Sequence, residues 1–178
     1  MTETPEIIEN FRDFDPPAKF RNTVDDLVRC VPSEFLVGLQ SITLTNRFAL
    51  SRNQKRKKTW SRNRKIRLAD ALGYYTPATR SSRAAIVLYV DNITGSWDVW
   101  FAKLPLVRYM PVGEVLYHEI GHHIHAAHRP VYKGKEDVAE YWRRKLWVRF
   151  VRRRYWYLFP VFYVAGKLLG IVKRIRKQ

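Results

Sequence analysis

The chain has a single cysteine, Cys30, among its 178 residues. That excludes an intramolecular disulfide framework and fits a reducing compartment. Methionine is almost as scarce: Met1 and Met110 are the only two, and no histidine occurs outside positions 118–128. The opening Met1-Thr2-Glu3-Thr4-Pro5-Glu6-Ile7-Ile8-Glu9 lacks a basic stretch followed by an apolar core, so it does not read as a secretory signal. A cytoplasmic location is the expectation. The length suits one domain with a core of its own, 1–150, and an appendage, 151–178.

Acidic residues are missing from two long stretches. Residues 51–67 carry nine Lys and Arg and no carboxylate, and residues 141–178 carry twelve and again none. The formal net charge of +17 therefore sits in two blocks. The first is expected to be a solvated loop or insertion, since its length and charge oppose burial.

What the chain does hold is a dense histidine run, His118-Glu119-Ile120-Gly121-His122-His123-Ile124-His125-Ala126-Ala127-His128. Its first five residues spell HExxH. On a helix, His118 and His122 stand one turn apart on one face, where two imidazoles can meet one Zn²⁺. Glu119 lies beside them as a general base for water activated by the metal. The helix is expected to begin after Pro111, with Gly121 marking a close approach to another backbone. His125 falls in the same sector of the wheel as the two ligand histidines.

A catalytic zinc takes a third protein ligand. His128 has the HExxHxxxxxH spacing of metzincins, but that pattern wants glycine where His125 stands and a methionine after the motif. The other source is Glu136-Asp137-Val138-Ala139-Glu140, whose first residue is separated from His122 by thirteen others. HExxH, a short loop and a second helix bearing Glu-x-x-Ala-Glu resemble the gluzincin peptidases, especially the minigluzincins and the repressor-cleaving zinc proteases of mobile elements. The resemblance covers roughly residues 84–150. It implies Glu136 as third ligand, with Glu140 orienting a ligand histidine by a hydrogen bond. The short linker leaves Glu140 as the alternative ligand, with Glu136 or Asp137 supporting. His125 is a further supporting residue, and Tyr132, Tyr141 or His125 could face the oxyanion.

The fold class expected is α+β: a small zincin-like domain with a short mixed sheet, an HExxH helix, a second Glu-bearing helix, and a basic, apolar helical tail. Thr23 to Leu39 reads as helix broken by Pro32, with Thr23 as cap, and Leu39 to Thr45 alternates as a strand. Ala84 to Val90 is an apolar run. By analogy with the zincin upper lobe, Ile86, Val87, Leu88, Tyr89 and Val90 form the edge strand that adds extended substrate to the sheet. Trp97, Trp100 and Phe101 are expected to close the core.

From Tyr141 the second helix continues to Arg154, and Tyr155 to Val172 is mostly apolar before a basic end. Breakers at Pro160, Gly166 and Gly170 oppose a membrane span. Peripheral attachment of 141–178 to an anionic membrane surface is the first expectation, then packing back onto the domain, then nucleic acid. Three readings follow: a zinc metallopeptidase acting on peptide or protein, a catalytically silent metal-binding adaptor for membrane or nucleic acid, and a protease directed at a repressor.

Overall fold

The structure is a computed structural model that describes residues 4–61, 64–95, 105–128 and 135–158. Trp97, Trp100, Phe101, Tyr132 and the tail beyond residue 158 lie outside the described residues.

The chain begins with strand β1 (Glu6–Asn10), then helix α1 (Phe20–Val28), whose Phe20, Val24, Leu27 and Val28 recur at helical spacing and are buried. Thr23 is inside this helix rather than at its cap, and its hydroxyl donates back to the Lys19 carbonyl at 3.1 Å. Strand β2 (Leu39–Thr45) follows as the alternation predicts. The basic block is not a loop. Ser51 and Gln54 form a reciprocal capping box on a short helix α2 (Arg52–Arg56), and β3 (Lys58–Ser61) and β4 (Arg64–Arg67) pair as an antiparallel ribbon. The strand period explains how so charged a segment folds: Lys58, Lys65 and Arg67 are exposed, while Ile66 points back to a small apolar cluster.

Strand β5 (Gly73–Thr76) and strand β6 (Ala84–Tyr89) complete a four-stranded sheet in the order β1-β2-β6-β5. β1, β2 and β6 run parallel, and β5 runs antiparallel to β6. One face of the sheet, with Ile42, Leu44, Ile86 and Leu88, belongs to the main core; Val87 and Tyr89 face the other way, toward Tyr74, Ile66 and Leu68. After a short helix α3 (Val90–Thr94) come two long helices, α4 (Pro105–His128) and α5 (Lys135–Arg154). The helix carrying HExxH therefore starts six residues before Pro111, which lies inside it. The described residues form a mixed α+β fold with five α-helices, and the α+β class is the one expected.

Two glycines fix the register of α4 against α5. A Cβ on Gly113 would lie 2.8 Å from Trp147, and one on Gly121 would lie 2.6 Å from the Ala139 Cα. They stand about two turns apart, so α5 is seated at two points along α4. Arg143 clamps the pair again, donating to Glu114 on α4 and to Glu140 on its own helix. At the far end Arg149 donates to the Cys30 carbonyl at 3.0 Å and Arg153 to the Arg29 carbonyl at 3.2 Å. Part of the basic block thus caps the C-terminus of α1, where carbonyls lack helical partners.

Candidate metal centre

The HExxH segment is the most enclosed part of α4. Leu116, Tyr117, Ile120 and Ile124 are buried against the sheet and α1, and the Tyr117 hydroxyl donates to the Leu27 carbonyl at 3.0 Å. With its apolar sides occupied in this way, the helix turns His118 and His122 toward α5. Their rings stand 4.8 Å apart at 86° to one another.

Glu136, in the first turn of α5, meets both. Its Oε2 is 3.4 Å from His118 Nε2 and its Oε1 is 3.7 Å from His122 Nε2. The three donor atoms lie within 4.8 Å of one another. This is how Gly121 shapes the site: the missing side chain lets Ala139 come against α4, and Glu136, one turn earlier on α5, arrives between the histidines.

These residues fit a cation. Burial, reinforced by the charge of His118, lowers the His122 pKa to about 4, so the imidazole is neutral at pH 7. At 3.7 Å the His122 Nε2 and the Glu136 carboxylate face each other without a direct hydrogen bond. Glu136 Oε2 is also buried and receives no hydrogen bond among the described residues, an arrangement that is costly unless a positive charge fills the gap. Ligands about 2.0–2.2 Å from a tetrahedral ion stand roughly 3.3 Å apart, close to the two separations observed. The group can therefore hold a metal ion.

Glu119 is 8 % exposed. Burial first, and the nearby Glu136 carboxylate second, raise its pKa to about 8, opposed by a hydrogen bond from the Tyr75 backbone. That bond ties Glu119 to β5. Gly73 of the same strand lies close enough to α4 that a Cβ there would be 2.9 Å from Val115. Tyr75 is held a second time through His123, whose Nε2 is 3.1 Å from the Val37 carbonyl and whose Nδ1 is 3.2 Å from the Tyr75 hydroxyl. A carbonyl can only accept, so Nε2 carries the proton and the tyrosine donates to Nδ1.

Several expected roles fall elsewhere. Glu140 does not meet the histidines. Arg143 and Arg144 occupy its carboxylate at 2.6–3.0 Å, and the Arg143 hydrogen bond is the main reason its pKa falls to about 2. Asp137 is exposed on α5 and is not among the metal-competent group. His125 is half-buried near His122 and is likewise outside that group. The edge role given to Ile86 to Val90 does not hold: β6 is paired on both sides, by β2 and by β5, and Val90 already belongs to α3. The sheet edge beside the site helix is β5. Its part, and that of His123, went unread in the sequence; the only local sign was the Tyr74-Tyr75 pair ahead of Pro77. Compared with known protein families, curated proteins and solved structures, the chain matches none.

Proposed function

We propose that the protein is a small zinc metallopeptidase of gluzincin type, with a zincin-like domain built on α4, α5 and the β5 edge. The observation that carries this reading is the convergence of His118 Nε2, His122 Nε2 and both oxygens of Glu136 on one point beside Glu119. Two imidazoles and one carboxylate are a donor set suited to Zn²⁺, which when bound would act as a Lewis acid and lower the pKa of water. Glu119 is placed to take a proton from the attacking water and hand it to the leaving amine. Its buried setting favours that exchange, since a carboxyl that titrates near neutral pH both accepts and returns a proton readily. An extended peptide laid antiparallel or parallel along β5 would bring its backbone past Glu119, because Tyr75 joins the strand to that residue.

The test separates metal from catalysis. Purified wild type should hold one zinc per chain, His118→Ala should lose it, and Glu119→Gln should keep zinc while losing peptide cleavage. Stoichiometric zinc in His118→Ala would sink the ligand assignment. Zinc in the wild type with no cleavage across a broad peptide library would favour the silent metal-binding adaptor.

A further inference from the structure

A groove of about 1080 Å³ runs along α5 beside Pro32 and Phe35. Its apolar part includes Phe35 and Trp142, with ring centroids 4.5 Å apart, and Leu146. Five cations line it: Arg144, Lys145, Arg149, Arg152 and Arg153, against two carboxylates, Asp137 and Glu140. Glu140 offsets Arg144. Arg149 and Arg153 are anchored on carbonyls, which are neutral, so their charge is undiminished. Lys145 lies over the rings of Trp142 and Tyr141, at 4.6 and 5.6 Å from their centroids.

The groove side of α5, and the turn that follows the helix, leave large apolar groups in solvent. Tyr141 and Val148 are exposed on α5, and Trp156 and Tyr157, just past its end, are 71 % and 55 % exposed. Exposed aromatics beside long cations are the composition of a helix that lies in a bilayer interface, rings at headgroup level and cations on phosphates. The sequence continues in the same sense: 155–172 is mainly apolar, Lys173, Arg174, Arg176 and Lys177 follow, and no acid occurs after Glu140. Nucleic acid could use the cations and stack its bases on the aromatics, but the apolar run 155–172 is longer than such a surface needs. Among the described residues no helix is long and apolar enough to cross a membrane.

We propose that the groove face of α5, with Tyr141, Val148, Trp156 and Tyr157, docks on an anionic phospholipid surface. The inference is independent of the metal centre, so Glu119→Gln should bind vesicles as wild type does. The experiment is flotation of the full chain with vesicles of phosphatidylcholine alone, or of phosphatidylcholine mixed with phosphatidylglycerol. Binding is expected to the mixed vesicles only, and to weaken as salt rises. Lys145→Gln/Arg152→Gln should lower the partition on the order of tenfold or more. Trp156→Ala/Tyr157→Ala should lower it on the order of tenfold. All four side chains are exposed, and unchanged circular dichroism will show that each variant is folded. Absence of binding to the mixed vesicles overturns the proposal, as does equal binding to both kinds or full binding by either double variant. It is overturned too if duplex DNA is bound at the same salt and strips the protein from vesicles, with Lys145→Gln/Arg152→Gln weakening DNA binding alone.

Discussion

Gly121 and Ala139 are in backbone contact across the two long helices, with room for no Cβ on the glycine: an added methyl would stand 2.6 Å from the Ala139 Cα and 2.7 Å from its carbonyl oxygen. Neither atom can swing aside as a side chain would. Gly121→Ala should therefore displace α5 rather than fill a space, at about 1–3 kcal/mol for an overpacked contact. Glu136 moves with α5, so zinc affinity should fall as well, on the order of tenfold or more. Melting temperature and a competitive zinc titration, taken on the same sample, check the two effects. Normal zinc affinity in a destabilised Gly121→Ala would show that the helix crossing does not place Glu136.

The choice between the two acids of α5 gives a sharper outcome. Glu136 lies against both histidines, whereas Glu140 is held by Arg143 and Arg144. Glu136→Gln should remove most bound zinc while Glu140→Gln keeps it in full. Metal analysis of both variants after dialysis decides the matter, and retention by Glu136→Gln with loss by Glu140→Gln would reverse the ligand assignment.

How much of this was legible before the fold follows from range. His118, Glu119 and His122 are related by one helical turn, so a short motif places them. Gly121 is legible for the same reason, as a small residue on a crowded helix. Glu136 depends on how two helices cross, and it entered through resemblance. The β5 strand is harder still: Gly73-Tyr74-Tyr75-Thr76 is four residues without apolar alternation, and its edge position comes from pairing with β6 farther along the chain. Charge misled in the 51–67 block, where Ile66 packs inward while Lys58, Lys65 and Arg67, on the same two strands, are exposed.

Tyr75 offers a test of the link between β5 and the site. Tyr75→Phe removes the hydroxyl that donates to His123 Nδ1 but keeps the ring and the backbone bond to Glu119. The lost hydrogen bond should cost about 0.5–1.5 kcal/mol. If the bond also fixes the edge strand, peptide cleavage should fall through a raised KM, with zinc content unchanged. A variant that is less stable yet cleaves with wild-type KM would confine the His123 contact to packing.

Arg149 has a different task from the solvated cations around it. Its Nε donates to the Cys30 carbonyl just past the C-terminus of α1, joining α5 to the first helix. Arg149→Gln should destabilise the protein by about 1 kcal/mol through this bond, and urea unfolding will measure it. Arg144→Gln, at a position whose partner is only a surface carboxylate, should cost less.

Acid titration isolates the clasp between α4 and α5. Hydrogen bonds from Arg143, then from Arg144, lower the Glu140 pKa from 4.5 to about 2. A carboxyl depressed in the folded state stabilises it above the unfolded pKa, and that stability fades as pH falls from about 4.5 toward 2. The Glu140 side chain is 37 % exposed, so solvent screens the pair and the whole effect should stay under about 1 kcal/mol. Glu140→Gln should accordingly be slightly less stable than wild type at neutral pH, and the two unfolding curves should converge as the pH approaches 2. Because Arg143 also holds Glu114, its substitution removes both contacts at once and should cost more than Glu140→Gln at pH 7. Equal losses from Arg143→Gln and Glu140→Gln would show that Glu114 adds nothing to the clasp.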